Sequence, residues 1–272
     1  MTDYARTEHA TTEDAAQLVG FGLQPRLRPA ESPAYAELLQ RYRTEQGLRE
    51  HTALVARGLG LVVLGETDHG LVLGAQDDGP FSLRLSDYRR SGLSVQERML
   101  HGLIQLAIAA WCFPTAQALD DPDAVLGTRV STHKLVDYLV GLCEELKDRT
   151  EADPEHGSPE LQEAWRSVLS RAETRDGRRA PTTLVGMVAY ALEFLERGGL
   201  MRRVSDSDGG TWQALGAYRL QVRELAAHAL AEAVRDAAGS LRSKPRVHRD
   251  EPDASDEPEA PPEAPPKAPV ES

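Results

Sequence analysis

The segment 94–111, SVQERMLHGLIQLAIAAW, places the tightest constraint on this chain. Read as a helix, it puts Met99, Leu100, Leu103, Ile104, Leu106, Ala107, Ile108 and Trp111 around most of its circumference rather than along one stripe. A helix apolar on nearly every side is a buried central helix, so other elements must be arranged around it. Its start is marked by Ser94 with Glu97 three residues later, the pairing of a capping box. Glu97, Arg98 and His101 interrupt the run, and no stretch of the chain reaches the ~18 uninterrupted apolar residues of a membrane span.

The flanking sequence supplies further helices. Ser32-Pro33 opens one with a serine cap and proline in the first turn, and Tyr35, Leu38, Leu39 and Tyr42 follow at helical spacing. A second runs through Leu48, Leu54 and Val55 to Arg57-Gly58. Beyond the central helix, Ser131-Thr132 starts a helix through Leu135, Leu139 and Leu142, another follows from Pro159, and Pro181 opens one through Leu184, Val188 and Leu195. A last helix is expected over about 221–237.

Twice the period changes from helical to β-like. Leu61-Val-Val-Leu64 and Gly70-Leu-Val-Leu-Gly74 flank the turn Glu66-Thr-Asp-His-Gly70, the pattern of a hairpin. Leu200-Met-Arg-Arg-Val204, the polar turn SDSDGG and the run Thr211–Leu220 repeat it. Each hairpin follows a helix ending in Arg-Gly: Ala56-Arg57-Gly58-Leu59 in one case, Glu196-Arg197-Gly198-Gly199-Leu200 in the other. Two units of one kind describe this better than one irregular domain.

These observations predict a mainly α fold with short β-hairpin wings, arranged as tandem winged-helix domains. The expected organisation is a flexible N-terminal segment over 1–30, a first winged-helix-like domain over 31–92, a second and larger one over 93–238, and a disordered basic-then-acidic, proline-rich tail over 239–272. From Asp250 onward the tail holds seven prolines and carries −7 of the net −12, which leaves −5 on the other 249 residues. Such a segment has too little apolar surface to offset its ordering entropy.

Charge also bears on what the units touch. A base-reading helix needs basic or amide side chains on its outer face. The helix over 183–197 places Gly186, Tyr190, Glu193 and Glu196 there, and the glutamates would meet phosphate repulsion. The second hairpin and its flanks are richer in arginine, so Arg178, Arg179, Arg202, Arg203 and Arg219 are the candidates for sequence-independent contact with a DNA backbone. The first hairpin has a different character. Its strands are continuously apolar, where a wing with one wet face should alternate. Either more of this chain or another chain must cover the second face; Val63 and Val72 are the candidate partner-interface residues, the expected cover being a second copy or a kleisin-like partner.

Catalytic and metal signatures are weak. Gly58-Leu-Gly60 and Gly65 punctuate a β run instead of opening a helix, so they do not form a dinucleotide loop. Glu224, His228 and Glu232 share a helix face but span too many turns for one ion. Cys112 and Cys143 sit in apolar helices and read as small hydrophobes. The expectation is no enzyme, no cofactor and no metal. The polar, partly acidic start and the two cysteines point to the cytoplasm, in company with the nucleoid if DNA is bound.

Over about 33–237 the arrangement resembles the kite-type accessory subunits of bacterial SMC complexes, MukE-like and MksE-like proteins and their counterpart in Wadjet anti-plasmid systems. The likeness rests on the paired units, the long apolar linking helix, the acidic body, the low-complexity tail and the first wing, HTALVARGLGLVVLGETDHGLVLGAQ. It implies a dimeric, non-catalytic subunit that binds a kleisin-like partner and helps a motor contact DNA, in chromosome organisation or plasmid defence. A winged-helix transcription regulator is the alternative.

Overall fold

The computed structural model describes residues 2–76, 79–82, 88, 93–125, 128–152, 159–173, 180 and 182–243. Arg178, Arg179 and the acidic tail from Asp250 lie outside the described residues. Met1–His228 form one compact unit and Ala229–Ser272 a second, of which the described part is the end of the last helix. Among the described residues the structure is mainly helical, with one antiparallel sheet of two strands and another of three.

The chain begins with helix α1 (Thr2–Gly22), where a flexible segment was expected. Ala15, Leu18 and Val19 lie at helical spacing and are fully buried. Burying a side chain such as Leu18 contributes about 1.5–3 kcal/mol, which anchors the helix to the smaller core. Helices α2 (Pro33–Thr44) and α3 (Gln46–Gly58) follow, α2 opened by Ser32, whose Oγ accepts from the Tyr35 N–H, with Pro33 in its first turn. Leu18 packs with Tyr35, Leu38, Leu39 and Leu71, while Val19 packs with Ala56 and Leu61. Phe21 stacks on Tyr35 at 4.9 Å, and Asp14 pairs with Arg41 at 2.8 Å. The buried Tyr35 hydroxyl accepts from the Leu71 N–H at 2.7 Å, which ties α2 to the hairpin.

That hairpin is β1 (Leu61–Thr67) and β2 (Gly70–Ala75), with a bulge between Val63 and Gly65. Its register puts Leu61, Val63 and Glu66 on one face with Leu71, Leu73 and Ala75, and Val62, Gly65 and Thr67 on the other with Gly70, Val72 and Gly74. The first face closes onto α1, α2 and α3. The second is covered by this same chain along much of its length. A methyl group on Gly65 would lie 3.2 Å from Cδ1 of Leu220, and one on Gly216 would lie 2.8 Å from the Thr67 side chain. Val72 is consequently only 6% exposed. This corrects the expectation that Val63 and Val72 await a partner: Val63 is half-buried on the inner face, and Val72 is covered from within. Val62, at 41% exposure, is the outward valine.

The larger core is built on α4 (Val95–Cys112), whose start carries both halves of the capping box. Leu100, Leu103, Ile104, Ala107, Ile108 and Cys112 are buried. Val95 and Leu106 are not. Leu106 is 67% exposed, so one side of this helix faces outward and the surrounding cover is incomplete. A short helix α5 (Ala116–Asp120) leads to strand β3 (Arg129–Ser131) and then to α6 (Thr132–Ala152), α7 (Pro159–Glu173) and α8 (Leu184–Arg197). Strand β3 was not anticipated; with Val130 as its only apolar residue it offers no periodic signal. β4 (Met201–Ser205) and β5 (Thr211–Ala214) complete the second sheet, in the order β3-β5-β4. Trp212 sits on the central strand with no exposed surface. The return strand stops at Ala214 rather than continuing to Leu220. From Gly216 the chain is helix α9 (Gly216–Ser243), because Leu215, Tyr218 and Val222 recur at helical spacing and join the core side.

The expected boundary at 92/93 falls between the two cores, the smaller formed by residues 18–73 and the larger by residues 99–222. Both nevertheless lie inside the single unit Met1–His228. The α1–α2 loop touches the start of the second hairpin: a methyl group on Gly199, whose φ is +69°, would stand 2.3 Å from the Pro25 carbonyl oxygen.

Candidate nucleic-acid and partner interface

The basic residues singled out in the sequence have separate fates. Arg202 is exposed on β4, and its guanidinium donates to Oε1 of Gln213 on the neighbouring strand at 2.8 Å. Arg203, the next residue, is engaged otherwise. It pairs with Asp206 at 2.7 Å and lies over the Trp212 ring at 5.3 Å from the centroid. That stacking suits the planar guanidinium and holds it on the hairpin. Arg219 is 7% exposed and donates to the backbone carbonyl of Leu119. Burial, and then the nearby Arg223, push its pKa down against the pull of Asp121 and Asp120. Arg219 therefore serves the packing of α9 on the α5 region and is withdrawn from any phosphate, contrary to the sequence reading.

The outer side of α8 also needs correction. Gly186 is buried, while Tyr190, Glu193 and Glu196 are half-buried. Tyr190 donates its hydroxyl proton to the backbone carbonyl of Tyr88, and Glu196 accepts from the Trp212 indole N–H at 3.3 Å. Arg197 lies over the Tyr190 ring at 5.5 Å. Side chains that would have to face base edges are thus engaged within the protein.

Charges that the sequence reading did not connect act on one histidine. His69, in the β1–β2 turn, is held with its pKa below the usual histidine range by burial and then by the positive charges of Arg28 and Arg202; Asp68 acts in the opposite sense. The three come from the loop after α1, the first hairpin and the second. Arg26, on the same loop, is exposed. The only sequence signal for this group was the pair of arginines in Gln24-Pro-Arg-Leu-Arg28, too short a run to stand out.

A second polar cluster joins the β4–β5 turn to the start of α6. Asp208 accepts from the Ser131 hydroxyl and lies 3.0 Å from Nδ1 of His133, while the Thr132 hydroxyl donates to the Gly209 carbonyl at 2.8 Å. The hydrogen bonds from Ser131 and then His133 hold the Asp208 carboxyl below its ordinary pKa. The carboxylate lies between hydroxyl and imidazole, so the imidazole is not positioned to take the serine proton. The arrangement fixes a turn. Among the described residues no group of three His, Cys, Asp or Glu could hold a metal ion, and the Glu232 side chain lies outside that description. No described helix is long and apolar enough to cross a membrane.

No protein-family model matches the chain, and no curated protein matches it. The residues alone carry the functional argument.

Proposed function

We propose that this protein is a non-catalytic accessory subunit of an SMC complex, built on two winged-helix domains, that binds a kleisin-like protein and pairs with a second copy of itself. The observation that supports it most is the order of elements around the larger core. A helix, a short strand, further helices and a hairpin follow one another, and the early strand β3 lies beside the last strand β5. That order supports the winged-helix reading, with three helices between the early strand and the hairpin. The smaller core supports the same reading with three helices followed by a hairpin.

Protein binding is favoured over base reading because the helix preceding the second wing offers little to a base edge. Its half-buried carboxylates Glu193 and Glu196 would be repelled by phosphate, and Tyr190 and Glu196 already have protein partners. Leu106 and Val95 on α4 and Val62 on β1 are large apolar side chains left open to contact.

Co-expression with a coiled-coil SMC-type ATPase and a kleisin-like protein from the same genome tests the proposal. A stable complex by size-exclusion chromatography with light scattering, containing two copies of this chain, is the expected result. A strictly monomeric chain that co-purifies with neither would overturn it.

A further inference from the structure

We propose that the outer face of α4 is the surface on which two copies of this chain pair, with their α4 helices parallel about a two-fold axis. This gives the self-pairing of the proposed function a place, and it rests on that pairing alone, not on the SMC role.

On α4, Val95, Met99, Gly102, Leu106 and Ala109 recur at alternating intervals of four and three residues. That is the seam of a two-stranded coil, and it runs along the side of the helix opposite the buried positions. Val95 is 62% exposed, Gly102 is exposed like Leu106, and Met99 and Ala109 are half-buried. A methyl group on Gly102 would meet nothing within 4 Å, so the middle of the seam is open to another backbone. A helix whose only contact is its own core carries polar residues on this side. The seam is about 21 Å long at 1.5 Å per residue. A free peptide of that length is a marginal helix, but the core already holds α4 from behind, so pairing costs no helix formation.

The charges beside the seam select a second copy as its occupant. Arg98 flanks it on one side, exposed and in no ion pair among the described residues. On the other side Gln96 donates to the Glu163 carboxylate of α7, which fixes an exposed acid at the same height along α4. Between α4 and α7 lies a groove of about 500 Å³, with Val95, Met99, Pro159 and Ala164 in its wall. A two-fold axis parallel to the helices sets each edge of one copy against the opposite edge of the other. Arg98 of each copy then meets Glu163 of the partner subunit, its aliphatic stem in the groove and its guanidinium on the carboxylate. An antiparallel pair sets like edges together and leaves both charges unmatched. A foreign helix would have to supply an acid and a base at the right height, whereas a second copy supplies both by symmetry.

The test uses the full chain, with sedimentation velocity over a range of concentrations and circular dichroism to follow the fold. Wild type should be a dimer. Leu106→Glu and Gly102→Arg, both at open positions, should raise the dimer dissociation constant about a hundredfold or more and keep the helical spectrum. Arg98→Glu and Glu163→Arg should each weaken pairing about tenfold. The double exchange should restore it to within about threefold of wild type. Val95→Cys should form a disulfide between copies on mild oxidation, because like positions meet in a parallel pair. Cys112 and Cys143 are buried and do not compete. A strictly monomeric wild type would overturn the proposal together with the self-pairing of the proposed function. A dimer indifferent to Leu106→Glu and Gly102→Arg would overturn the proposal alone and leave the pairing to another surface. Failure of the double exchange to rescue, or of Val95→Cys to cross-link, would refute the parallel two-fold. If Leu106→Glu keeps the dimer but loses a co-expressed kleisin-like protein, the face belongs to that partner and the proposal is refuted.

Discussion

The Asp208 carboxylate lies 3.0 Å from Nδ1 of His133, although the two residues are 75 positions apart. Asp208 has φ +56°, a left-handed conformation that few non-glycine residues adopt, and asparagine is one of those that do. The same carboxylate accepts from Ser131, so it fastens the β4–β5 turn to the first residues of α6.

Its folded-state pKa is depressed, so its contribution to stability is present above the unfolded pKa and lost as pH falls through the folded value. Both partners are well exposed, and solvent screening keeps the increment below about 1 kcal/mol. Asp208→Asn should therefore melt slightly below wild type at pH 7, with the gap closing as the pH falls below the ordinary aspartate range. Equal melting temperatures at pH 7 would show that the turn holds without the carboxylate.

Gly198 and Gly199 should respond oppositely to alanine. Gly198 has φ −76° and room for a methyl group, with its nearest neighbours at 3.6 Å. Gly199 has φ +69° and the Pro25 carbonyl in the way. Gly198→Ala should be neutral or stabilising by a few tenths of a kcal/mol, whereas Gly199→Ala should cost about 2 kcal/mol or more. Urea denaturation of both variants gives the comparison.

Val62→Glu and Val72→Glu separate an outward position from an inward one on the same face of the hairpin. Val72→Glu buries a carboxylate and should cost about 3 kcal/mol or more, or prevent folding. Val62→Glu should keep the melting temperature within a few degrees of wild type. Similar losses in the two variants would mean that the outer end of the face is as well covered as the inner.

Cys112 and Cys143 have thiols that burial pushes up to about 12. Thiolate is the reactive form, so neither should react appreciably with a disulfide reagent at pH 8 in the native state. Both should react fully in denaturant. Rapid labelling of native protein would reveal frequent opening of the larger core.

Much of this was legible where the determinants are local. Ser94 and Glu97 announce the start of α4, Ser32 and Pro33 announce α2, and the turn between Glu66 and Gly70 announces the first hairpin. What escaped depends on residues far apart in the chain. Helix α1 has few apolar positions and is held by Tyr35 and Arg41, so its segment resembles a tail when read alone. Val72 looks uncovered because Leu220, which faces its side of the sheet beside Gly65, lies almost 150 residues downstream. Arg219 reads like its exposed neighbours because its acceptor, the Leu119 carbonyl, is 100 residues away. Likewise, the nearness of the first loop to the second hairpin shows only in the approach of Gly199 to the Pro25 carbonyl, 174 residues away.

Helix α1 bears on how the protein is handled and how it ages. It is the piece that a sequence-guided trimming would discard first, yet Leu18 and Val19 plug both small hydrophobic clusters beside the hairpin. A protease nick in the loop after Gly22 would leave the two fragments held together by that packing, whereas deletion of residues 1–30 leaves Tyr35, Leu71 and Ala56 facing water. The shortened chain would be sticky, and any self-association it displayed would report the missing plug rather than the native contact between subunits.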